Sequence, residues 1–268
     1  MKYRMIFSDF DNTLLRTDMT VASETIRAIA DYRSRGGKFV LVTGRSVQSA
    51  VEQAKLLGLS GDVVASMGAV IADIDTGVAH LERGLDCKTA ARVIADAENR
   101  GEEVYCYVKR KLYVPAYTEL VERYVNIVHC TPNVIKGKLS EYVLSRGEEV
   151  EKIMTFCLPE DARRIAKQKS DTFGDEVLVV ISAPTLVEVI NPAYTKGKAI
   201  TYMAQKNGIP IEQTLAVGDS TNDLEMILTA GHGVAVANAM PELKQVADEI
   251  TVSCDENAVG VLIEEYGV

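Results

Sequence analysis

The sequence predicts an α/β protein, with a doubly wound, Rossmann-like parallel sheet as its core and an inserted α+β cap. Three observations lead there. Short β-rich runs alternate with helical patterns between Arg4 and Ser66, and the same rhythm returns from Leu186 onward. Between them the pattern changes to strands joined by short turns. The chain has 268 residues, 47% apolar and 25% charged, which is the composition of an ordinary folded protein and enough length for a domain interrupted by a second.

Taken in order, Arg4–Ser8 reads as a strand, Ser23–Arg35 as a helix with Ser23 as N-cap and Gly36-Gly37 as its end, and Lys38–Val42 as a strand. A helix near Ser46–Leu57 and a strand at Asp62–Ser66 follow. This is the βαβ signature of a parallel sheet. The C-terminal part continues it with strands at Leu186–Ile190, Thr214–Val217, Gly233–Val236 and Glu249–Val252, separated by helices near Lys196–Lys206, near Asn222–Ala230 and after Pro241. These strands are almost entirely apolar, as strands covered by helices on both faces must be. In the middle, a helix near Lys88–Asn99 precedes Glu103–Val108 and Leu112–Val114, which are joined by the basic turn Lys109-Arg110-Lys111. A second set comprises Ile153–Cys157, a helix near Glu160–Lys169 and Val177–Ser182. The expected division is therefore a core of residues 1–81 and 186–268 and a cap of residues 82–185, with hinges near His80–Gly84 and Ser182–Thr185.

Charge and composition remove several classes of function. A formal charge of −9 and a pI near 5.0 argue against a nucleic-acid partner, which needs a clustered basic surface. An anionic substrate would need local positive charge from a cation and a lysine. The five cysteines are scattered without a CxxC pair, and the three histidines have no helical-spacing partner, so neither a disulfide framework, a zinc site nor a Ser-His-Asp triad is indicated. No run approaches the ~20 apolar residues of a membrane span, so the expectation is a cytoplasmic protein without a membrane partner. The sequence leaves the oligomeric state open.

Chemistry concentrates at four strand ends. The first strand runs into Asp9-Phe10-Asp11-Asn12-Thr13, two carboxylates at i and i+2 where ligands of open α/β sheets bind. Such a pair repels itself unless a cation lies close, and hard oxygen ligands suit Mg²⁺. The second strand runs into Thr43-Gly44-Arg45-Ser46 at a helix start, a place for an anion. Lys196 opens a helix although a cation there opposes the macrodipole. The last, Gly218-Asp219-Ser220-Thr221-Asn222-Asp223, sets Asp219 and Asp223 four apart. Singly, each is matched by capping or a solvated turn; in this order, at one sheet edge, they read as a site.

These residues resemble the haloacid dehalogenase superfamily, and within it the Cof-type phosphatases with a C2-type cap inserted between the second and third motifs. The resemblance runs along the whole chain through Asp-Phe-Asp-Asn-Thr-Leu-Leu, Thr-Gly-Arg, Lys196 and Gly-Asp-Ser-Thr-Asn-Asp. It implies a Mg²⁺-dependent hydrolase of small phosphomonoesters, sugar phosphates or similar metabolites, working through a phospho-aspartate. By the same resemblance Asp9 is the nucleophile and a metal ligand. Asp11 ligates through its carbonyl and serves as acid and base with its side chain, Asp219 is a further ligand, and Asp223 supports the metal. The Phe10 backbone, Thr43, Gly44, Lys196 and Asn222 would hold the phosphoryl oxygens.

Two departures from the family pattern bear on the site, besides Asp255-Glu256-Asn257-Ala258-Val259, which lacks the usual Asp-Gly-Val and reads as a structural variation. Asn12 stands for glycine, at a turn expected to need positive φ, which Asn tolerates. Met67, in Ser66-Met67-Gly68-Ala69, stands for asparagine and replaces an amide by a thioether. A phosphomutase or a sucrose-phosphatase-like enzyme would share the motifs, and a non-catalytic binding protein would have lost Asp9. A nucleotide-binding dehydrogenase is set aside, because the first βα turn has no GxGxxG. Candidate cap contacts with substrate are Tyr105, Tyr107, Lys109, Arg110, Lys111 and Tyr142, for which a solvated basic turn and ordinary sheet tyrosines are the competing account.

Overall fold

The computed structural model describes residues 2–267. The N-terminal core part comprises β1 (Met5–Ser8), α1 (Ser23–Ser34), β2 (Lys38–Leu41), α2 (Val47–Leu56), β3 (Asp62–Ala65), β4 (Val70–Asp73) and β5 (Ala79–Glu82). The middle of the chain supplies α3 (Cys87–Asn99), β6 (Glu103–Val108), β7 (Lys111–Val114), α4 (Glu119–Val128), β8 (Asn133–Val134) and α5 (Leu139–Arg146). It continues with β9 (Val150–Phe156), α6 (Ala162–Phe173), β10 (Leu178–Ala183) and β11 (Leu186–Ile190). The chain then returns to the core with α7 (Lys196–Lys206), β12 (Thr214–Gly218), α8 (Leu224–Thr229), β13 (His232–Ala235), α9 (Pro241–Lys244), β14 (Glu249–Ile250) and α10 (Ala258–Tyr266).

The core sheet has the order β14-β13-β12-β1-β2 and is parallel throughout. From β1 the chain moves outward to β2 on one side, while β12 to β14 build the other, so the switch in direction falls between β1 and β12. Ligands of doubly wound sheets bind at the carboxyl ends of strands at such a point. Strands β1 and β12 are fully buried, with Met5, Phe7, Leu215, Ala216 and Val217 in the core. That accounts for their unbroken apolar runs. Strand β3 touches this sheet through one parallel bridge, Val42 with Val64, and otherwise pairs antiparallel with β4, which pairs with β5. The β4–β5 excursion was not foreseen, although its turn is stated in Asp73-Ile74-Asp75-Thr76-Gly77: the Asp73 carboxylate accepts the Thr76 N–H at 2.8 Å and Gly77 has φ +70°.

The second sheet has the order β10-β11-β9-β6-β7-β8 and is antiparallel apart from β7 with β8. One expectation is corrected here. Leu186–Ile190, expected to join the core, lies between β10 and β9 of this cap sheet. The second hinge segment, Ser182–Thr185, is correspondingly the tip of the β10–β11 hairpin, and the chain recrosses to the core only after Ile190. Helix α4 lies over Tyr105, Tyr107 and Met154 of the sheet, while α3 and α5 pack together on a separate cluster with Val104, Cys106 and Ile153. A smaller correction concerns α1: its N-cap is Ala22, and the Ser23 hydroxyl pairs with Glu24.

Candidate active site

The carboxyl ends of β1, β2 and β12 and the start of α7 bring the four sequence motifs together. Asp9 follows β1, its N–H bonded to Val217 O of β12, and its side chain is 8% exposed. One carboxylate oxygen accepts from Lys196 Nζ at 2.6 Å, and the same ammonium donates to Asp223 at 2.6 Å. Lys196 can occupy the first turn of α7 because these acids face it; the helix start itself is capped by Thr195, whose hydroxyl accepts the Lys198 N–H. The other Asp223 oxygen accepts the N–H groups of Asp219 and Ser220, closing the turn after β12 as a capping box. Gly218 admits this arrangement, since a Cβ there would meet the Asp223 side chain at 2.5 Å.

One oxygen from each of Asp9, Asp219 and Asp223 lies within 4.8 Å of the others. Burial raises the Asp9 carboxyl to about 7, with Lys196 acting against the rise and Asp223 and Asp11 adding to it. Burial, then the charges of Asp9 and Asp223, raise Asp219 to about 9. Burial disfavours the Lys196 ammonium, but Asp223 and Asp9 outweigh it and hold Lys196 above its ordinary range. One buried cation thus faces three clustered acids. The all-oxygen donor set and the excess negative charge fit a hard divalent cation.

The other predicted residues divide by environment. Asp11 is paired with Arg45, whose Nε and Nη2 lie 3.0 and 2.6 Å from its carboxylate, while the Arg45 guanidinium lies 4.8 Å from the centre of the Phe10 ring. Sequence reasoning missed Arg45; its position directly after Thr-Gly, facing the acid of another strand end, was the available signal. The Thr43 hydroxyl accepts the Arg45 N–H at 3.1 Å and is fully buried, whereas Gly44 faces the cavity. The Asn222 amide donates to the Met67 sulfur at 3.4 Å and accepts from the Ser220 hydroxyl at 2.6 Å. Asn12 has φ 56°, as its place after the first carboxylate pair requires.

Above these groups is a cavity of about 380 Å³ whose core side includes Asp9, Asp11, Gly44, Asp219 and Asn222. Its cap side is formed by Tyr124, Ile127, Phe156, Leu186 and the ion pair of Lys152 with Glu188. None of the cap residues singled out from sequence lines it. Tyr105 and Tyr107 are buried beneath α4, Tyr142 packs at a tilt against Tyr113, and Lys109 and Arg110 pair with Glu82. Their alternation reported a sheet, and the facing of that sheet toward α4 was not written in it.

Comparison with known proteins gives the family and the fold. The family described as haloacid dehalogenase-like hydrolase matches residues 6–263. The chain is 28% identical over 271 residues to the 5-amino-6-(5-phospho-D-ribitylamino)uracil phosphatase YitU of Bacillus subtilis, covering 98% of this chain and 97% of that one. It is 27% identical over 263 residues to the phosphoglycolate phosphatase of Methanothermobacter thermautotrophicus, covering 98% of each. In fold it matches the structure of a haloacid dehalogenase-like hydrolase from B. subtilis with a TM-score of 0.86 at 24% identity, over 97% of this chain and 99% of that one. Among the described residues no helix is long and apolar enough to cross a membrane. The chain belongs to the haloacid dehalogenase-like hydrolases, as a Cof-type phosphatase and phosphoric monoester hydrolase.

Proposed function

We propose that the protein hydrolyses small phosphomonoesters, sugar phosphates or similar metabolites, through a phosphoryl group carried on Asp9, with Mg²⁺ as its cation. The observation that supports this most directly is the placement of Asp9, buried at the end of β1 with one oxygen on Lys196 and facing the cavity beside Asp219. Asp9, Asp219 and the Asp11 carbonyl would hold Mg²⁺, with Asp223 supporting them through Lys196 and the turn amides. When bound, the cation would neutralise charge on the phosphoryl oxygens and lower the proton occupancy of the acids.

In the first step an Asp9 oxygen attacks phosphorus while the bond from phosphorus to the ester oxygen breaks, and a protonated Asp11 gives that oxygen its proton. In the second, water attacks the phosphorus of phospho-Asp9, Asp11 takes the water proton, and inorganic phosphate leaves with the Asp9 carboxylate restored. Lys196, Gly44, Asn222 and the Phe10 N–H are assigned to the equatorial oxygens, where fixed donors act most strongly. Thr43 acts by shaping the loop through the Arg45 amide. Asp11 must part from Arg45 to reach the ester; its side chain is 45% exposed and has room to turn.

Asp9→Asn tests this, because an amide cannot form the phosphoryl intermediate. We expect a folded protein with phosphate release from p-nitrophenyl phosphate lowered at least ~10⁴-fold, comparable to loss of a nucleophile elsewhere. Near-normal release by a sample shown by mass spectrometry to be free of deamidation would overturn the assignment.

A further inference from the structure

Resting on the phosphatase reading and narrowing its range of sugar phosphates or similar metabolites, we infer that the cap selects a phosphomonoester whose alcohol part is a flat heteroaromatic ring, and that a polyol sugar phosphate is the poorer substrate. The phosphoryl end cannot decide this, since every phosphomonoester presents the same group. The decision falls to the cap wall of the cavity.

That wall is apolar and rigid along most of its length. Phe156 is fixed from two sides, by Tyr124 at 5.5 Å between ring centres and 72° between planes, and by Tyr105 at 5.1 Å. The Tyr124 hydroxyl is paired with that of Tyr107 at 3.3 Å. Two large apolar side chains line the cavity while remaining exposed: Ile127 of the cap, 52%, and Met19 of the core, 57%. Both stand at the cavity with much of their surface in water, and a ring seated against them would cover it.

On the cap wall polar capacity is confined to a few groups, and Arg16 and Thr17, which line the cavity from the core, are engaged by Asn257 and Asp255. Lys152 and Glu188 form an ion pair at 2.7 Å with side chains 3% and 1% exposed, and Lys152 also donates to Gly44 O at 2.7 Å. The Ser182 hydroxyl, at the hairpin tip, is buried without a partner. These suit the one polar edge of a heterocycle. A hexose would bring hydroxyls on every side to a wall able to pair few of them, and unpaired buried hydroxyls are penalised. The cavity of about 380 Å³ has room for one ring and its phosphomethyl arm.

The test compares binding and turnover separately. Pyridoxine 5′-phosphate and glucose 6-phosphate are titrated calorimetrically into Asp9→Asn protein with Mg²⁺, and again into Asp9→Asn carrying Ile127→Asn or Phe156→Leu. We expect the heteroaromatic ester to bind at least ~10-fold tighter, the range open to an apolar pocket, and each wall substitution to lower that ratio at least about threefold. Equal or reversed affinities, or a ratio untouched by both substitutions, would overturn the inference. Release of phosphate from p-nitrophenyl phosphate by the wild type is measured alongside. Its absence would count against the phosphatase reading, while the binding ratio would still decide the nature of the wall.

Discussion

Burial holds Asp9 near 7 and Asp219 near 9, both above the ordinary 3.8 of an aspartate. At these two groups the cation-free folded state therefore binds more protons than the unfolded chain between about pH 4 and 9, so their contribution to stability falls as pH rises through that window. Lys196 stays charged throughout and does not alter the sign. We expect chelated protein to lose several degrees of Tm between pH 5.5 and 8.5, and Mg²⁺ to add more stability at 8.5 than at 5.5, with protons released on binding near neutrality. A chelated Tm that is flat or rises across this range would contradict the burial of the two acids. Met67 raises a separate question. It is buried with φ 61°, a left-handed conformation that suits Asn better than Met, and its sulfur is a weak acceptor for the Asn222 amide. Met67→Asn should relieve about 1 kcal/mol of backbone strain and fix Asn222 more firmly, raising Tm and lowering KM for p-nitrophenyl phosphate severalfold. A lowered Tm would mean that the thioether's contact with Gly44, where a Cβ would meet Met67 at 2.5 Å, outweighs the strain. The departure at residue 67 was legible in sequence; its backbone cost was not, because φ belongs to the turn and not to the residue type.

Elements were legible where local signals and packing agree. Helix α7, Lys196–Lys206, matches its expected span because Thr195 caps it and Gly208 with φ +62° follows its end. Strand β11 went to the wrong sheet, since an apolar run before a turn and a helix reads alike with parallel or antiparallel neighbours. Glu188 in its middle was the missed signal: a strand covered by helices on both faces has little place for a carboxylate, and this one is tolerated by Lys152. The hairpin that β11 forms with β10 reaches the core through Thr221, whose hydroxyl donates to Ile181 O at 2.8 Å and accepts Ile181 N–H at 3.1 Å. Thr221 sits in the same turn as Asp219, so the hairpin and the acid are placed together. Thr221→Val keeps the shape and removes both bonds, at a cost of about 1–3 kcal/mol to the local closed state. Hydrogen exchange at the Ile181 amide should quicken at least ~10-fold, with kcat/KM for the preferred substrate falling severalfold. Unchanged protection at Ile181 would show that the hairpin is held by other contacts.

At the scale of the whole molecule, the order of core and cap was legible because phosphate chemistry writes short motifs at strand ends, whereas the seams between the two bodies join residues far apart in sequence and leave no local mark. Besides the Thr221 and Lys152 contacts, two further seams differ in kind. Arg163 of α6 reaches Glu242 of α9 at 2.6 Å, but Arg163 is 72% exposed, and such pairs contribute about 0–1 kcal/mol. At the crossings, Asn191 donates to Gly84 O at 2.6 Å and accepts the Ala193 N–H at 2.9 Å, tying the outgoing and returning chain to each other. Gly84 lies so close to Val150 of β9 that a Cβ would meet its carbonyl oxygen at 2.1 Å, so the outgoing crossing is packed directly against the cap sheet. Magnitudes therefore assign the control of cap position to Asn191 and not to the ion pair. Arg163→Ala should move Tm by less than ~3 °C and leave kinetics within about twofold, and this null effect should persist at high salt. Asn191→Ala leaves a partly buried carbonyl and an amide without partners, about 1–3 kcal/mol, and should change kcat and KM together by roughly fivefold or more for a substrate recognised by the cap, as hinge changes do. Turnover of p-nitrophenyl phosphate should suffer less, since the residues assigned to its phosphoryl group all lie on the core. If Arg163→Ala proved the more damaging of the two, the cap would be held closed by its rim, and the crossings would be passive linkers.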